Sequence, residues 1–405
     1  MCELPKFIVI LGCFDTKGAD FAYLRSCIVN LGEEVLMINT GILGTTHLFP
    51  VDIEAHEVAE AEGVDLEGLR QKNDRGYAVG IMGKGAGRIM SFLNEKDQIK
   101  AVIGMGGGGG TYIALKSMQK VPFGIPKWCI STVASKDLSR QIGSKDIVLM
   151  PSIVDIAGPN SVSRFLMSQA AKAICSMAKV KIDSTGIHVK TIAITMFGNT
   201  TTCVDYCREL LEDKGYEVLV FHANGVGGKT MESLIMEGVV HGVLDITTTE
   251  LVDELCGGVC SAGPDRLSAA SEMGIPQVVA PGCMDMVNFA QPATVPPRYK
   301  DRQLYSWAPD VTLMRTNIVE NKVLGKILAE KLNISRAPVR ILLPQKGLSQ
   351  IDSNEGVFYD PDANRVLFDS IQSNICEEID TIEVNFHIND PKFSELAVAT
   401  LLDLM

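Results

Sequence analysis

Five consecutive glycines, Gly106-Gly107-Gly108-Gly109-Gly110, follow the apolar run Val102-Ile103 and lead into the helical pattern Thr111-Tyr112-Ile113-Ala114-Leu115-Lys116. A strand-to-helix turn without Cβ atoms lets backbone N–H groups approach an anion. The helix N-terminus adds unpaired donors and a favourable dipole. A turn that only needed positive φ would be satisfied by one or two glycines, so the run points to nucleotide phosphates. Gly104, Gly106 and Gly109 also fit G-x-G-x-x-G, the pattern of a nicotinamide-dependent oxidoreductase. That reading is the weakest, because the motif follows the third strand of its unit and the strand ending at Ser131-Thr132 carries no acid to hold a ribose. Ala223-Asn224-Gly225-Val226-Gly227-Gly228-Lys229-Thr230 fits a relaxed Walker A loop with Ala for the first Gly. No strand with a Walker B acid follows, so a second glycine-rich ligand loop is the better expectation.

Other polar residues fall at strand ends, where open α/β sheets bind ligands. Asp15-Thr16-Lys17 follows the first strand, with a carboxylate for a ribose or metal and an ammonium for phosphate, or else a turn and N-cap. Thr132 offers a hydroxyl after the fourth strand, and Asp155 either caps a helix or meets a ligand. In the second half, Asn224, Gly225, Gly228, Thr248, Arg266 and Asn288 are candidates for a small anionic metabolite. Thr247-Thr248-Thr249-Glu250 stands there in the position of the glycine run. Arg266 or Arg315 suits a carboxylate or phosphate, or serves a structural ion pair. His222 and His387 are acid–base candidates, although a lone histidine is more often a hydrogen-bonded structural residue. Catalytic candidates are therefore His222, Asp155 and Arg266, with no recognisable nucleophile. Cys203/Cys207 and Cys256/Cys260 have C-x-x-x-C spacing, which reads as buried apolar cysteine, and no metal site is expected.

The elements that must position these loops are legible as a repeat. Ile8-Val9-Ile10 with Phe14 resembles Ile192-Ala193-Ile194 with Phe197, and Gly41–Thr46 resembles Gly225–Thr230 at the same offset. Further on, Val102-Ile103 matches Val243-Leu244, so the first copy carries an insert of about 43 residues, roughly 47–89. Its acidic stretch Asp52–Glu60 is helix-like, and it reads as a dimer arm, a lid or a peripheral helix. Short apolar runs alternate with helical patterns, the signal of βαβ units. Strands are expected near 7–11, 35–39, 101–105, 128–131 and 147–150. In the second copy they are expected near 191–195, 217–221, 242–246, 277–280, 311–314, 339–343 and 381–386. The fold class is α/β, two Rossmann-like parallel-sheet domains related by internal duplication, 1–182 and 190–405, with a boundary near 179–190.

Composition sets outer bounds. A chain of 405 residues, 46% hydrophobic and 21% charged, has material for two cores. Its net charge of −12 argues against a general nucleic-acid or anionic-membrane surface. The run Phe7–Leu11 is far too short to span a bilayer. Eleven scattered cysteines and the absence of a signal-peptide pattern point to the cytoplasm.

Many separate motifs carry a family resemblance. They are Gly12 to Gly18, Gly106–Thr111, Ser131–Ser135, His222–Gly228, Thr247–Asp253, Ala262–Arg266, Asp285–Asn288, Thr312–Thr316 and His387–Pro391. Together they resemble a little-characterised ATP-binding family that includes the N-terminal region of the tomato mosaic virus resistance protein. Two departures are Gly108-Gly109, where a serine is frequent, and Lys229, where an arginine is usual. The resemblance implies two Rossmann-like domains, ATP as cofactor with or without Mg2+, and a homodimer. It supplies no reaction. The leading expectation is an ATP-dependent enzyme of small-molecule metabolism with its site in the interdomain cleft, the nucleotide held by Asp15, Thr16, Lys17, Gly106–Gly110, Thr111 and Thr132. The alternative is a non-catalytic ligand-binding or protein-interaction module.

Overall fold

The computed structural model describes residues 5–180 and 189–405, so most of the boundary expected near 179–190 lies outside the described residues. The chain divides into two compact units, Met1–Asp183 and Ser184–Met405. In the first, the near-continuous apolar run at the N-terminus forms β1 (Phe7–Gly12), whose residues after Phe7 are all buried. Such a strand needs cover on both faces. Ile8 and Ile10 pack with Phe21, Leu24 and Ile174 of α1 (Phe14–Val29) and α7 (Ser161–Met177). Val9 and Leu11 point the other way, to the side of α2 (Ala55–Glu60), α4 (Arg75–Glu95) and α5 (Gly108–Met118). Two short helices, α3 (Leu66–Lys72) and α6 (Ser139–Ile142), complete the unit.

Its remaining strands are β2 (Val35–Asn39), β3 (Ile99–Gly106), β4 (Lys127–Ser131) and β5 (Ile147–Pro151). All pair in parallel in the order β2-β1-β3-β4-β5. The order reverses between β1 and β3, and the crevice outside the carboxyl ends of strands at such a switch point is where doubly wound sheets bind ligands. The glycine run leaves β3 at that point.

The insert expected at 47–89 is not peripheral. It forms α2, α3 and most of α4, and α4 is the crossover from β2 to β3. Five glycines between Gly76 and Gly87 let this helix lie close between two others. A Cβ on Gly85 would overlap the Val58 carbonyl of α2, and one on Gly83 would come within 3.3 Å of the Tyr112 ring of α5.

The second unit repeats the pattern with β6 (Thr191–Met196), α8 (Thr201–Glu212), β7 (Glu217–His222), α9 (Val226–Met236), β8 (Gly242–Thr247), α10 (Thr249–Cys256), α11 (Ala269–Met273) and β9 (Gln277–Gly282). Beyond an antiparallel insert come α12 (Ile318–Leu332), β13 (Val339–Pro344), α13 (Pro361–Asn374), β14 (Asp380–Val384) and α14 (Pro391–Leu404). The parallel order is β14-β13-β9-β8-β6-β7. Five of these strands keep the order of the first sheet, as duplication requires, and β14 adds an edge. The strand expected near 311–314 lies outside this sheet. It is β12 (Val311–Arg315), the centre of a three-stranded sheet between β10 (Met286–Phe289) and β11 (Leu304–Ala308). Only Pro309-Asp310 separates β11 from β12, and so short a link permits antiparallel pairing alone.

Candidate functional site

The glycine turn sits at the switch point with its donors free. Gly107 is the N-cap of α5, in extended conformation. Among the described residues no hydrogen bond is made by the N–H of Gly107, Gly108, Gly109 or Gly110. These are the orphan donors that every helix start presents. Beneath them the turn is braced. The Gly106 carbonyl accepts from Thr132 N at 3.2 Å and Thr111 Oγ1 at 3.2 Å, and Thr111 Oγ1 lies 2.7 Å from Ser131 Oγ. The Thr111 hydroxyl therefore points inward. A Cβ on Gly106 would come within 2.8 Å of Gly110 Cα, whereas one on Gly108 would meet nothing within 4 Å. Gly106 is thus required by packing, and Gly108 leaves open space above the cradle.

The other expected nucleotide contacts hold neighbouring loops. Asp15 Oδ2 accepts from Leu43 N at 2.9 Å, and its Oδ1 is buried without a partner. Thr16 is exposed and its hydroxyl only reaches the Cys13 carbonyl, at 3.5 Å. The Lys17 ammonium donates to the carbonyl of Ile156. Three residues on, Asp20 accepts from Gly158 N at 3.0 Å, and burial raises its carboxyl above the usual range. Lys17 and Asp20 thereby tie α1 to the β5–α7 loop. Asp155, in that loop, is exposed and accepts from the next residue, Ile156 N, at 2.8 Å.

Two residues absent from the expectations lie at the mouth of the crevice. Cys13 is the N-cap of α1, partly buried, with its thiol 3.8 Å from Thr40 Oγ1. Burial raises this thiol's pKa, more than the nearby charges of Lys17 and Arg75 lower it. Arg75 opens α4, and a guanidinium nitrogen lies 3.9 Å from where a Cβ on Gly109 would sit. Its sequence signal was Asn73-Asp74-Arg75, N-cap chemistry ahead of a helix, in a segment whose glycines disguise the helix.

The second unit solves the same anion problem internally. Arg266 is fully buried and all five of its donors are used. Nη1 and Nη2 grip Asp245 at 2.6 and 2.7 Å, Nε meets Glu250 Oε2 at 2.6 Å, and weaker bonds reach Glu232 Oε1 at 3.3 Å and the Thr247 carbonyl at 3.4 Å. The other oxygen of Glu250 accepts from Gly225 N at 2.7 Å and Gly228 N at 3.1 Å. A carboxylate of the chain itself thus occupies the N-terminus of α9, where a Walker loop would hold phosphate. Arg266, Gly225 and Gly228 are brought together, but they serve this network.

The remaining candidates are also engaged. Thr248 Oγ1 donates to Ala280 O at 3.1 Å, and Asn288 Nδ2 to Thr249 Oγ1 at 3.2 Å, both buried. Asn224 Oδ1 accepts from Gly227 N at 3.1 Å. His222 is exposed and stacks on Phe197 with ring centroids 5.3 Å apart. His387 has Nε2 3.0 Å from Ser349 O and accepts from Asn389 N at 3.1 Å on Nδ1, so both ring nitrogens are used. Cys203 and Cys207 are buried in α8, while Cys256 ends α10 and Cys260 lies beyond it. Among the described residues no group of three or more His, Cys, Asp or Glu is placed to hold a metal ion.

Asp285 and Asp352 form a second buried polar centre with Arg315. Arg315 Nη2 lies 3.6 Å from Asp352 Oδ1, and Ser349 Oγ donates to Asp285 at 2.8 Å. Burial, then the charge of Asp352, pushes the Asp285 carboxyl up to about 7 against the pull of Arg315. Folded chain then holds a proton that the unfolded chain releases near pH 4, so stability falls as pH rises from about 4 to about 7 and levels off above. Asp253, raised to about 7 by burial, adds the same sign. We expect Asp285→Asn to flatten the decline in melting temperature between pH 5 and pH 8. An unchanged slope in that variant would remove Asp285 from the account.

Comparison with known proteins places the chain. The N-terminal domain of "Uncharacterised protein family (UPF0261)" matches residues 6–183, and the C-terminal domain of the same family matches residues 189–405. The chain belongs to the UPF0261 family. A UPF0261 protein of Clostridium tetani is 44% identical over 99% of this chain and 100% of its own length. The UPF0261 protein RA0729 of Rhizobium meliloti is 41% identical over 98% and 99%. The ToMV resistance protein Tm-1(GCR237) of Solanum lycopersicum is 41% identical over 82% of this chain, a match that spans 45% of the tomato protein. A solved glycosyltransferase of Streptomyces sp. SF2575 aligns over 96% of this chain and 99% of its own at 12% identity, with a TM-score of 0.20. That is too loose a match to bear on function. No helix among the described residues is long and apolar enough to cross a membrane.

Proposed function

We propose that this UPF0261 protein binds a nucleotide, with the phosphates of ATP received by the N–H groups of Gly107–Gly110. The observation that carries the reading is four adjacent, partnerless donors at a helix start on the switch point of a parallel sheet. The residues fit a phosphate group, since the space over Gly108 is open and the turn below is braced. Among the described residues no group of three or more His, Cys, Asp or Glu is placed to hold Mg2+, and Asp15 keeps one buried carboxylate oxygen, Oδ1, without a partner. Consumption of ATP on a small anionic metabolite is the further part of the reading. It rests on the polar residues that fall at strand ends in both halves; a homodimer rests on the family resemblance, and a cytoplasmic location on the scattered cysteines. A binding protein without turnover is the second reading, favoured by the internal saturation of Arg266 and the engagement of the Thr248 hydroxyl.

Thermal unfolding in the presence of ATP, GTP, NAD and inorganic triphosphate tests the proposal. ATP at about 100 times its Kd should add about 2.7 kcal/mol of stability and raise the melting temperature of the first unit by several degrees. Stabilisation by NAD alone would overturn it. Phosphate release on adding small carboxylic and sugar acids separates the enzyme from the binding protein, and light scattering checks the dimer.

A further inference from the structure

We infer that Arg75, delivered by the inserted helix, is the cationic clamp that closes on the terminal phosphate of the bound nucleotide. The inference rests on the phosphate reading of the glycine turn and assigns it a residue outside that turn.

Helices α4 and α5 run side by side in the same direction. Gly109 lies against Val79 and Arg75, Gly83 against Tyr112 and Lys116, and Gly87 against Lys120. Their N-termini therefore meet at the same place, the carboxyl edge of the sheet. The start of α4 is closed by its own N-cap, since Asp74 accepts from Tyr77 N at 3.0 Å, and the start of α5 is left open. Arg75 is exposed, and among the described residues no hydrogen bond or ion pair of its guanidinium is found. It also lies close enough to Cys13 for its charge to act on that thiol. Arg75 thus stands over the crevice between the ends of β1 and β3, facing an anion site without an anion partner of its own.

The second unit gives a precedent in chemistry rather than in position, at the loop Gly225–Thr230 that corresponds to Gly41–Thr46. There, two glycine N–H groups at the start of α9 and the Nε of Arg266 pinch one carboxylate between them, that of Glu250. The first half has the N–H groups and the arginine but no carboxylate on the chain to fill the place. An external anion completes the same arrangement, and a phosphate suits both a guanidinium and a ring of N–H donors. The insert acquires a purpose on this view. It carries the start of α4 to the carboxyl edge of the sheet with a cation at its first position, and ligand binding joins the insert to the sheet.

The test is calorimetric titration of ATP and of inorganic triphosphate into wild type, Arg75→Gln, Arg75→Lys, Arg88→Gln and Gly108→Val. Arg88 pairs with Glu62 further along α4 and serves as the control. Losing a charge-assisted contact should weaken both ligands in Arg75→Gln by about tenfold to a hundredfold, with a shallower salt dependence. Arg75→Lys should recover part of the loss, and Arg88→Gln should bind as wild type. Melting temperatures within a degree or two of wild type show that α4 is intact. Wild-type affinity in Arg75→Gln, beside lost binding in Gly108→Val, overturns the clamp and leaves the phosphate reading standing. If wild type binds neither ligand, both fall together.

Discussion

Replacing Arg266 with methionine is expected to destabilise the second unit by about 3–5 kcal/mol, because it strands buried carboxylates. Asp245 and Glu250 have side chains 1% and 0% exposed, and both lean on this one guanidinium. Glu232 adds a third carboxylate, 13% exposed. Methionine keeps much of the stem volume, so the loss would report charge rather than a cavity. A domain stable by about 5–15 kcal/mol would give up a large fraction of that margin. Each unit holds one tryptophan, Trp128 in the first and Trp307 in the second. Urea unfolding followed by fluorescence in Trp128→Phe and Trp307→Phe backgrounds therefore reads each unit alone. The transition reported by Trp307 should move to much lower urea while that reported by Trp128 stays. Neutralising the partners as well, with Asp245→Asn and Glu250→Gln, should return part of the loss. A shift below about 1 kcal/mol would show that the network is not what holds these loops.

The second large effect is on binding. Gly108→Val should abolish ATP binding, on the order of a hundredfold or more, without lowering the melting temperature. A side chain there projects into the space proposed for phosphate, and its Cβ would meet nothing within 4 Å in the folded chain. Its backbone is outside the left-handed region, so valine adds no strain. Removing a glycine also restricts the unfolded chain, a gain of about 0.4–1 kcal/mol, partly offset by the lower helix preference of a β-branched residue. Gly106→Val is the contrasting variant. Its Cβ would collide with Gly110, so it should lose stability together with binding. If both variants lost stability equally, the open cradle over Gly108 would be wrong.

Sequence pattern was enough for the parallel strands and their duplication, because buried strands appear as apolar runs that a repeat exposes twice. It was enough for the glycine turn, since a strand, five glycines and a helix leave few other geometries. It failed at α4. The glycines between Gly76 and Gly87 each cost a helix about 1 kcal/mol in propensity, and what offsets that cost is close approach to Val58 and Tyr112, residues distant in sequence. It failed at β12, read as one more parallel strand because its antiparallel neighbours β10 and β11 were not read as strands. The α14 helix was missed despite an Asp390-Pro391 start that follows N-cap and N1 preferences. In the second unit Ala223–Thr230 and Thr247–Glu250 were legible as two loops. That Glu250 of one fills the anion cradle of the other is a tertiary fact, because Arg266 and its carboxylate partners lie far apart along the chain. Arg75 escaped for the same reason, being first in a disguised helix and meeting Gly109 only after folding.

The most direct measurement is of the N–H groups themselves. In glycine-selective 15N-labelled protein, assigned by single substitutions, ATP should shift the amide resonances of Gly107–Gly110 and slow their hydrogen exchange. Gly225 and Gly228, already bonded to Glu250, should stay where they are. Unmoved resonances at Gly107–Gly110 under saturating ATP, or shifts confined to the second unit, would contradict the account.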